Sequence, residues 1–583
     1  MTNKSIAEFL ETIGTYMRLA GENEFRAIAF DKAARTVETM NESINDFIQA
    51  GTLTSIKGIG QSIANDITAF VQSGTAPVMD SMKEKVPTGL IEWLNISGLG
   101  PKKIYKIYSA LDITTIDELK AACEDGRVAS LAGMGAKSAE KILKSISWML
   151  QFSDRCRLDE AETIALRFKD LVQHIEGVKR IELAGSFRRK RETIGDIDIL
   201  VAADSESVSS IFDGFTSHES ILEVLGRGDT KSSVRVKEGR QVDLRIVAEN
   251  EFDVALMYFT GSKEHNVVMR QRARDLGMAL NEYGLFKLTE NGETDFENRI
   301  SKFSEEEIYG ELGLSWIPPE LREDMGEFKL YEGEKKPQFL ELKDVRGVLH
   351  AHSTYSDGSF SIEQMARACY EKGYEYLGLT DHSKTAAYAG GLNEKAVYKQ
   401  WKEIDDLNNT FQKEGINFKI FKGIESDILI DGSLDYSNDI LKGFDFIIAS
   451  VHFSLDMEPQ KMLDRFTRAA ENKYTRIIGH PTGRLLLKRK GNPFDLGKLI
   501  EIAAAANTAI EINASPWRLD LDWRYGAKAE QHGLMTSISP DAHDIEGIDD
   551  IRFGVSIAKK ARFTKERVLN TMNNEEIEKF FKN

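Results

Sequence analysis

Residues 185–201 read Gly185-Ser186-Phe187-Arg188-Arg189-Lys190-Arg191-Glu192-Thr193-Ile194-Gly195-Asp196-Ile197-Asp198-Ile199-Leu200-Val201. The run is a glycine turn, a burst of positive charge, a second turn, and a strand in which acidic and branched apolar residues alternate. Side chains on a strand point to opposite faces with a period of two, so Asp196 and Asp198 share one face while Ile197 and Ile199 enter a core on the other. Neighbouring carboxylates repel. A divalent cation held between them, binding phosphate oxygens, is a chemical reason to keep them together, and the arginines just upstream suit the remaining phosphate charge. A bare Asp-x-Asp is more often an exposed edge with solvated aspartates; the whole run is far more specific.

The stretch resembles the nucleotidyltransferase signature of family X DNA polymerases, the group that includes polymerase beta. The resemblance implies a third aspartate from a neighbouring strand, and Gln241-Val242-Asp243-Leu244-Arg245-Ile246-Val247 offers Asp243 with the same alternation. It continues at Tyr258-Phe259-Thr260-Gly261-Ser262-Lys263-Glu264-His265-Asn266-Val267-Val268-Met269-Arg270, at Leu280-Asn281-Glu282-Tyr283-Gly284-Leu285 and at Trp316-Ile317-Pro318-Pro319-Glu320-Leu321-Arg322. By resemblance, Tyr258, Phe259 and Gly261 cup the sugar and base of an incoming nucleotide, and Asn266 and Arg270 reach the minor-groove edge. Ser186 and Arg189 bind the triphosphate, and Gly195 allows close backbone approach. The same resemblance implies that Asp196, Asp198 and Asp243 hold two Mg²⁺ or Mn²⁺ ions. His174, His218 and His265 have no ligand-type companions nearby and read as ordinary structural or surface histidines.

Upstream, residues 4 to 75 read as short helices, with Ile6, Phe9, Leu10, Ile13 and Met17 at helical spacing. Three turns of the form hydrophobic-x-Gly-hydrophobic-Gly precede helices, at Gly58 and Gly60, at Gly98 and Gly100 with Lys102, and at Gly133 and Gly135 with Lys137. Such a turn exposes backbone N–H groups and the positive end of a helix dipole, which suits a phosphate oxygen. Three of them resemble helix-hairpin-helix elements, which grip the DNA backbone without reading sequence. The first unit looks like the small domain of polymerase beta that binds a 5′-phosphate and carries a Schiff-base lysine. Here the aligned position is Asp66. A carboxylate forms no imine, so 5′-deoxyribose-phosphate lyase activity is expected to be weak or absent.

At 583 residues the chain is too long for one core and suggests three or four domains. A net charge of −17 argues only weakly against nucleic acid, because metal-binding carboxylates add to it and a basic track can be local. Cys123, Cys156 and Cys369 are far apart and indicate neither a disulfide framework nor a zinc ribbon. The polar, periodic amino terminus lacks the apolar core of a signal peptide and no run approaches a membrane span, so a cytoplasmic location is expected.

Seven of the ten histidines, His350, His352, His382, His452, His480, His532 and His543, fall after residue 345. All but His532 follow or sit in apolar, strand-like runs, with helical stretches such as Ile362 to Lys372 between them. Buried strands alternating with helices suggest a parallel α/β barrel whose chemistry gathers at the strand ends. Singly, each histidine is more often a hydrogen-bonded core residue than a ligand. Together they resemble the PHP (polymerase and histidinol phosphatase) domain, whose trinuclear site maps onto His350, His352, Asp357, His382, Glu425, His452, His480, Asp541 and His543. The resemblance implies Glu425 bridging two ions, with His350, His352 and Asp541 on one and His452 and His480 on the other, while Asp357, His382 and His543 hold a third. Mn²⁺, Zn²⁺ and Fe²⁺ all suit this donor set. His532 is off the pattern.

The expected organisation is a helical DNA-binding domain (1–80), helix-hairpin-helix fingers (81–152), a nucleotidyltransferase palm of mixed β-sheet with helices (153–250), a nucleotide-selecting thumb (251–322), a charged linker (323–345) and a PHP metallophosphoesterase domain built as a distorted (β/α)7 barrel (346–583). The expected protein is a monomer acting on gapped or primer-template DNA with a 5′-phosphate and on deoxynucleoside triphosphates. It fills short gaps in base excision repair, with a 3′–5′ exonuclease in the carboxy-terminal domain that also extends to abasic sites or 3′ blocks. Two rivals are an RNA or template-independent nucleotidyltransferase fused to a small-molecule phosphatase, and a DNA-end-binding scaffold with vestigial sites.

Overall fold

The alternation in the sequence builds a five-stranded sheet. In the computed structural model, which describes all residues except 1, 2, 39, 41, 42, 97, 152–154, 301–303, 334–336 and 583, its strands are Arg180–Leu183 (β1), Asp196–Ala202 (β2), Ile221–Arg227 (β3), Lys231–Val236 (β4) and Gln241–Val247 (β5), in the order β1-β2-β5-β4-β3. Strands β2 and β5 run parallel and the other pairs antiparallel. Ile197, Ile199, Val242 and Leu244 are buried with Phe168, Phe187, Phe212 and Phe215, so the apolar face of the sheet is the core; on the other face Leu200 and Ala202 are covered by the helix Phe252–Thr260, and the aspartates gather at one end.

The chain forms two compact units, residues 1–153 with 487–490, and residues 154–486 with 491–583. In the first, Ile6, Phe9, Leu10, Ile13 and Met17 all enter one core with the helix Glu24–Glu38. A second core gathers around Trp93, Ile104, Ile107 and Leu119. Gly58, Gly98 and Gly133 have φ of 97°, 91° and 74°, the left-handed region that favours glycine, and helices begin at Gln61, Pro101 and Ala136. Ser97, within the second turn, lies outside the described residues.

In the second unit, the helices Phe252–Thr260 and Lys263–Asp275 pack on a three-stranded meander, Met278–Asn281 (β6), Gly284–Leu288 (β7) and Thr294–Ile300 (β8). The expected linker is corrected here. Residues 323–331 belong to this subdomain: Phe328 and Tyr331 join its core, and the helix Glu327–Tyr331 presents the fully buried Glu327 to His265 Nδ1 at 2.8 Å. The segment looked solvated because it is charged, yet its charges are neutralised by partners distant in sequence. Glu334, Lys335 and Lys336 lie outside the described residues.

Seven parallel strands then follow in sequence order: Gly347–Ala351 (β9), Tyr376–Leu379 (β10), Lys419–Asp427 (β11), Phe446–Ser450 (β12), Thr475–Ile478 (β13), Ala509–Asn513 (β14) and Thr536–Ser539 (β15). A parallel bridge between Ala351 and Ala542 joins the first strand to the end of the last, making a nearly closed barrel. Its strands are largely apolar because both faces are covered, with His350, Glu425, Asp427, Glu511 and Asn513 as buried polar exceptions. Among the described residues, no helix is long and apolar enough to cross a membrane, and all three cysteines are buried thiols.

The sheet and the barrel share one apolar cluster and a buried ionic junction. Glu192, 6% exposed, accepts from Arg524 Nη2 at 2.6 Å and from Trp523 Nε1 at 2.9 Å. Lys560 Nζ donates to Glu323 Oε1 at 2.6 Å and to the carbonyls of Arg189 and Glu320, while Glu323 also accepts from Arg189 and Arg191. Burial opposes ionisation of Glu192, but Arg524, Arg484 and Arg191 outweigh it and hold the carboxyl well below the usual range. Glu192→Ala should cost roughly 1–3 kcal/mol, because it leaves the buried Trp523 Nε1 and the Arg524 guanidinium without their shared acceptor, and a urea midpoint measures it. A carboxyl with depressed folded-state pKa stabilises fully above the unfolded glutamate value, about 4.3, and that contribution is lost as pH falls below it. Melting wild type and variant from pH 7 to pH 4 should therefore show their difference shrinking at the acid end.

Candidate active sites

Parallel pairing of β2 with β5 sets Asp198 directly beside Asp243. With Asp196 two residues earlier on the same face, the three residues offer oxygens that all lie within 4.8 Å of one another. Burial, then the charges of Asp196 and Asp243, push Asp198 up to about 7. This is the electrostatic signature of a site that needs a cation. In the structure Lys231 Nζ supplies one, 2.6 Å from Asp243 Oδ2, and Gln241 Nε2 donates to Asp243 Oδ1 at 2.9 Å. Gly185 fits against this cluster only because it is glycine: its φ is 58° and a Cβ there would sit 1.9 Å from Asp198 Oδ2. Gly195, by contrast, has room for a side chain, with only Arg155 at 3.4 Å. Its lack of one leaves the open face unobstructed.

The turn at residues 258–262 follows the same logic. The helix Phe252–Thr260 ends at Gly261, φ 69°, and Ser262 caps the next helix by accepting from the N–H of His265. Tyr258 and Phe259 are half-buried with rings 5.5 Å apart, and the Arg245 guanidinium lies over Phe259. Asn266 Nδ2 ties the helix to the Tyr258 carbonyl at 2.7 Å, and Arg270 is exposed. Ser186 is half-buried on the turn before β2. Arg189 is brought to the site but committed elsewhere, to Glu323 and the Thr260 carbonyl, so binding a triphosphate would require it to exchange partners. The turn glycines Gly60, Gly98, Gly100 and Gly135 have no protein atom within 4 Å of where a Cβ would stand, and Gly58 and Gly133 meet only side-chain tips. Lys102 reaches Glu24, and Lys137 is exposed. Asp66 is buried in the helix Gln61–Ser73, and burial raises its pKa.

All nine histidine and carboxylate positions converge at the strand ends of the barrel. Glu425 is central: its Oε1 lies 2.9 Å from His480 Nε2, 3.1 Å from His452 Nε2 and 3.4 Å from His350 Nε2, and its Oε2 lies 2.9 Å from His382 Nδ1. Three groups have metal-ligand spacing: His350, His352 and Asp541; His382, Glu425 and His452; and His352, Asp357, His382 and His543. His352 and His382 thus stand between groups, a finer sharing than the sequence-based allocation. His532 is elsewhere, 4.0 Å from Glu501. His350 Nε2, His352 Nδ1, His382 Nδ1, His480 Nδ1 and Glu425 Oε2 are buried with no aligned hydrogen-bond partner among the described residues. Such orphaned donor atoms suit metal ions. Burial alone would lower the imidazoles, but carboxylates outweigh it, Glu425 and Asp357 raising His382 to about 10, and Glu425 with Asp427 raising His452 to about 9. Burial and the neighbouring His543 and His382 push His352 down to about 3. Protons here compensate the carboxylates as cations would.

The whole chain is 40% identical over 585 residues, spanning 100% of both sequences, to the DNA polymerase/3′–5′ exonuclease PolX of Bacillus subtilis (strain 168). The chain belongs to the PolX family. Five known domain families match this chain in order: a helix-hairpin-helix domain at residues 1–76, a SAM-like helix-hairpin-helix tandem at 91–147, a DNA polymerase beta palm at 155–232, a DNA polymerase beta thumb at 255–323 and a PHP domain at 349–515. Rat DNA polymerase lambda is 24% identical over 55% of this chain and 56% of its own. A probable phosphatase of Thermoanaerobacter sp. (strain X514) is 30% identical over 38% of this chain and 89% of its own. Polymerase beta of Leishmania infantum aligns with a TM-score of 0.27 and 23% identity, over 40% of this chain and 98% of that one.

Several residues that serve this PolX site escaped the sequence reading. Glu511 accepts from His350 Nδ1 at 2.6 Å and from the His480 N–H at 2.7 Å. Asp427 pairs with His452 Nδ1 at 2.9 Å, and Asn513 Nδ2 donates to Asp541 at 3.0 Å. Asp381 accepts from the N–H and hydroxyl groups of Ser353 and Ser356 and from Gln400, fixing the loop that carries Asp357. Partners of this kind orient imidazoles and set their tautomers. Their signal is the alternation Glu511-Ile512-Asn513 and Glu425-Ser426-Asp427 at the ends of buried strands.

Proposed function

We propose that the chain extends a DNA primer across short gaps at the palm carboxylates and removes nucleotides from 3′ ends at the barrel cluster, a pairing suited to base excision repair. The observation that carries the polymerase half is the gathering of Asp196, Asp198 and Asp243 on two paired strands. Asp196, Asp198 and Asp243 would hold the divalent cations, Asp243 from the strand beside the other two. Mg²⁺ or Mn²⁺ bound there would supply the positive charge that favours in-line attack of a 3′-hydroxyl on an α-phosphate. Ser186 and the backbone at Gly195 receive the triphosphate, joined by Arg189 once it leaves Glu323. Tyr258, Phe259 and Gly261 border the sugar and base, and Asn266 and Arg270 face the minor groove. The glycine turns at Gly58, Gly60, Gly98, Gly100, Gly133 and Gly135, with Lys102 and Lys137, hold the DNA backbone.

In the barrel, His350, His352, Asp357, His382, Glu425, His452, His480, Asp541 and His543 form the ligand set. Mn²⁺, Zn²⁺ or Fe²⁺ bound among them would supply Lewis-acid activation for phosphodiester hydrolysis. Glu511 and Asp427 keep the ligand faces of His350, His480 and His452 turned inward.

A labelled duplex with a one-nucleotide gap, incubated with Mn²⁺ and each deoxynucleotide in turn, tests both halves. Templated addition should be lost in Asp198→Ala and kept in His352→Ala, with 3′ degradation showing the reverse. Indifference of either activity to its own substitution would remove that half of the assignment.

A further inference from the structure

Between His382 and Leu392 the chain makes a tight loop at the mouth of the barrel cluster. The Ser383 N–H donates to the Glu425 carbonyl at 3.0 Å, and the Leu392 N–H returns to the His382 carbonyl at 2.8 Å. Thr385 binds Asp435 through both its N–H and its hydroxyl. Gly391 is forced to be glycine, since a Cβ would sit 1.9 Å from the Ser383 carbonyl oxygen. The loop is therefore fastened at both ends to residues that carry ligands. At its tip stands Tyr388, 75% exposed.

What marks this ring is its place beside the ligand cluster, not its exposure alone. Tyr388 has no visible structural duty: among the described residues its hydroxyl makes no hydrogen bond, and its one ring neighbour is His382, with centroids 6.3 Å apart. It lies within electrostatic reach of Asp357, Glu425, Asp427 and Arg518. Arg518 itself approaches Asp541, Nε to Oδ2 at 3.9 Å. An exposed aromatic and a guanidinium flanking a hydrolytic cluster are the elements that grip a single strand, since every base has a face to stack and every linkage an anion to pair.

We infer that Tyr388 is the stacking platform for the base of the 3′-terminal nucleotide during exonucleolytic removal, a specificity residue for unpaired ends. Its ring face does the work and the hydroxyl is dispensable. The inference rests on the barrel being the exonuclease site.

The test uses the full-length chain as wild type, Tyr388→Ala, Tyr388→Phe and His352→Ala. The substrates are two single-stranded oligonucleotides, identical except that one ends in a 3′ nucleotide lacking its base. Tyr388→Ala should raise KM for the ordinary oligonucleotide about tenfold, the scale of one lost base stack, with kcat nearly unchanged. It should have no effect on the baseless end, and Tyr388→Phe should match wild type on both. In EDTA, fluorescence of 2-aminopurine at the 3′ terminus should be quenched by wild type and Tyr388→Phe and unquenched by Tyr388→Ala. Equal losses on both substrates, equal losses in the Phe and Ala variants, or no loss in the Ala variant would each overturn the proposal. Persistence of degradation in His352→Ala would instead remove the site on which it rests.

Discussion

Asp243→Ala should lower templated addition on a gapped duplex by at least about 10³-fold, equivalent to several kcal/mol of lost transition-state charge stabilisation. The reason is local. Asp243 is the only one of the three carboxylates supplied by β5, and it is buried at 4% exposure beside Asp198. Without it, Asp196 and Asp198 keep one face of the site but lose its closure, and Lys231 loses its 2.6 Å partner. DNA affinity should stay within about threefold, because on the proposed reading it comes from backbone contacts at the glycine turns and not from this carboxylate. Single-turnover incorporation alongside a binding isotherm makes the comparison. A matching fall in affinity would mean that Asp243 positions DNA instead of serving the chemistry.

The mirror experiment removes Glu425. Its carboxylate touches His350, His382, His452 and His480, and it is 1% exposed at the centre of the cluster. Glu425→Ala would leave four imidazoles, three of them buried, facing one another with no shared anion. Removal of 3′ nucleotides should fall by at least about 10³-fold, again the scale of lost metal-assisted stabilisation. Metal content by elemental analysis should fall with it. Gap filling should remain within about twofold, because sites without shared partners behave independently. An exonuclease that survives with full metal content would take Glu425 out of the centre of the site.

The carboxylates at 196, 198 and 243 were legible because the physics that positions them is periodic: on a strand, every second residue shares a face. Most of the barrel positions were legible because each closes or follows a short apolar run, and buried parallel strands leave few other places for charge; Asp357, in the polar loop after His352, came only through the resemblance. Glu323 and Glu327 were not. They lie in an aperiodic acidic segment that reads as solvated, and their partners, Arg189, Arg191, His265 and Lys560, are scattered over much of the chain. Nor does any pattern announce that His350, His480 and Asp541 sit at φ of 70°, 23° and 55°. That left-handed backbone, uncommon for residues with a side chain, turns each out of its strand toward the cluster, and local strain of this kind gathers at functional sites.

The junction built on Glu192, Glu323 and Lys560 has a genetic corollary. A stop codon at position 551 would remove the helix Ile551–Lys560 with everything after it and spare every proposed ligand, yet it would withdraw the ammonium that braces Glu323 and the backbone of Arg189. Strains carrying such a truncation should be deficient in synthesis as well as in trimming, so their phenotype would not separate the two activities. Only point changes at the ligands themselves can do that.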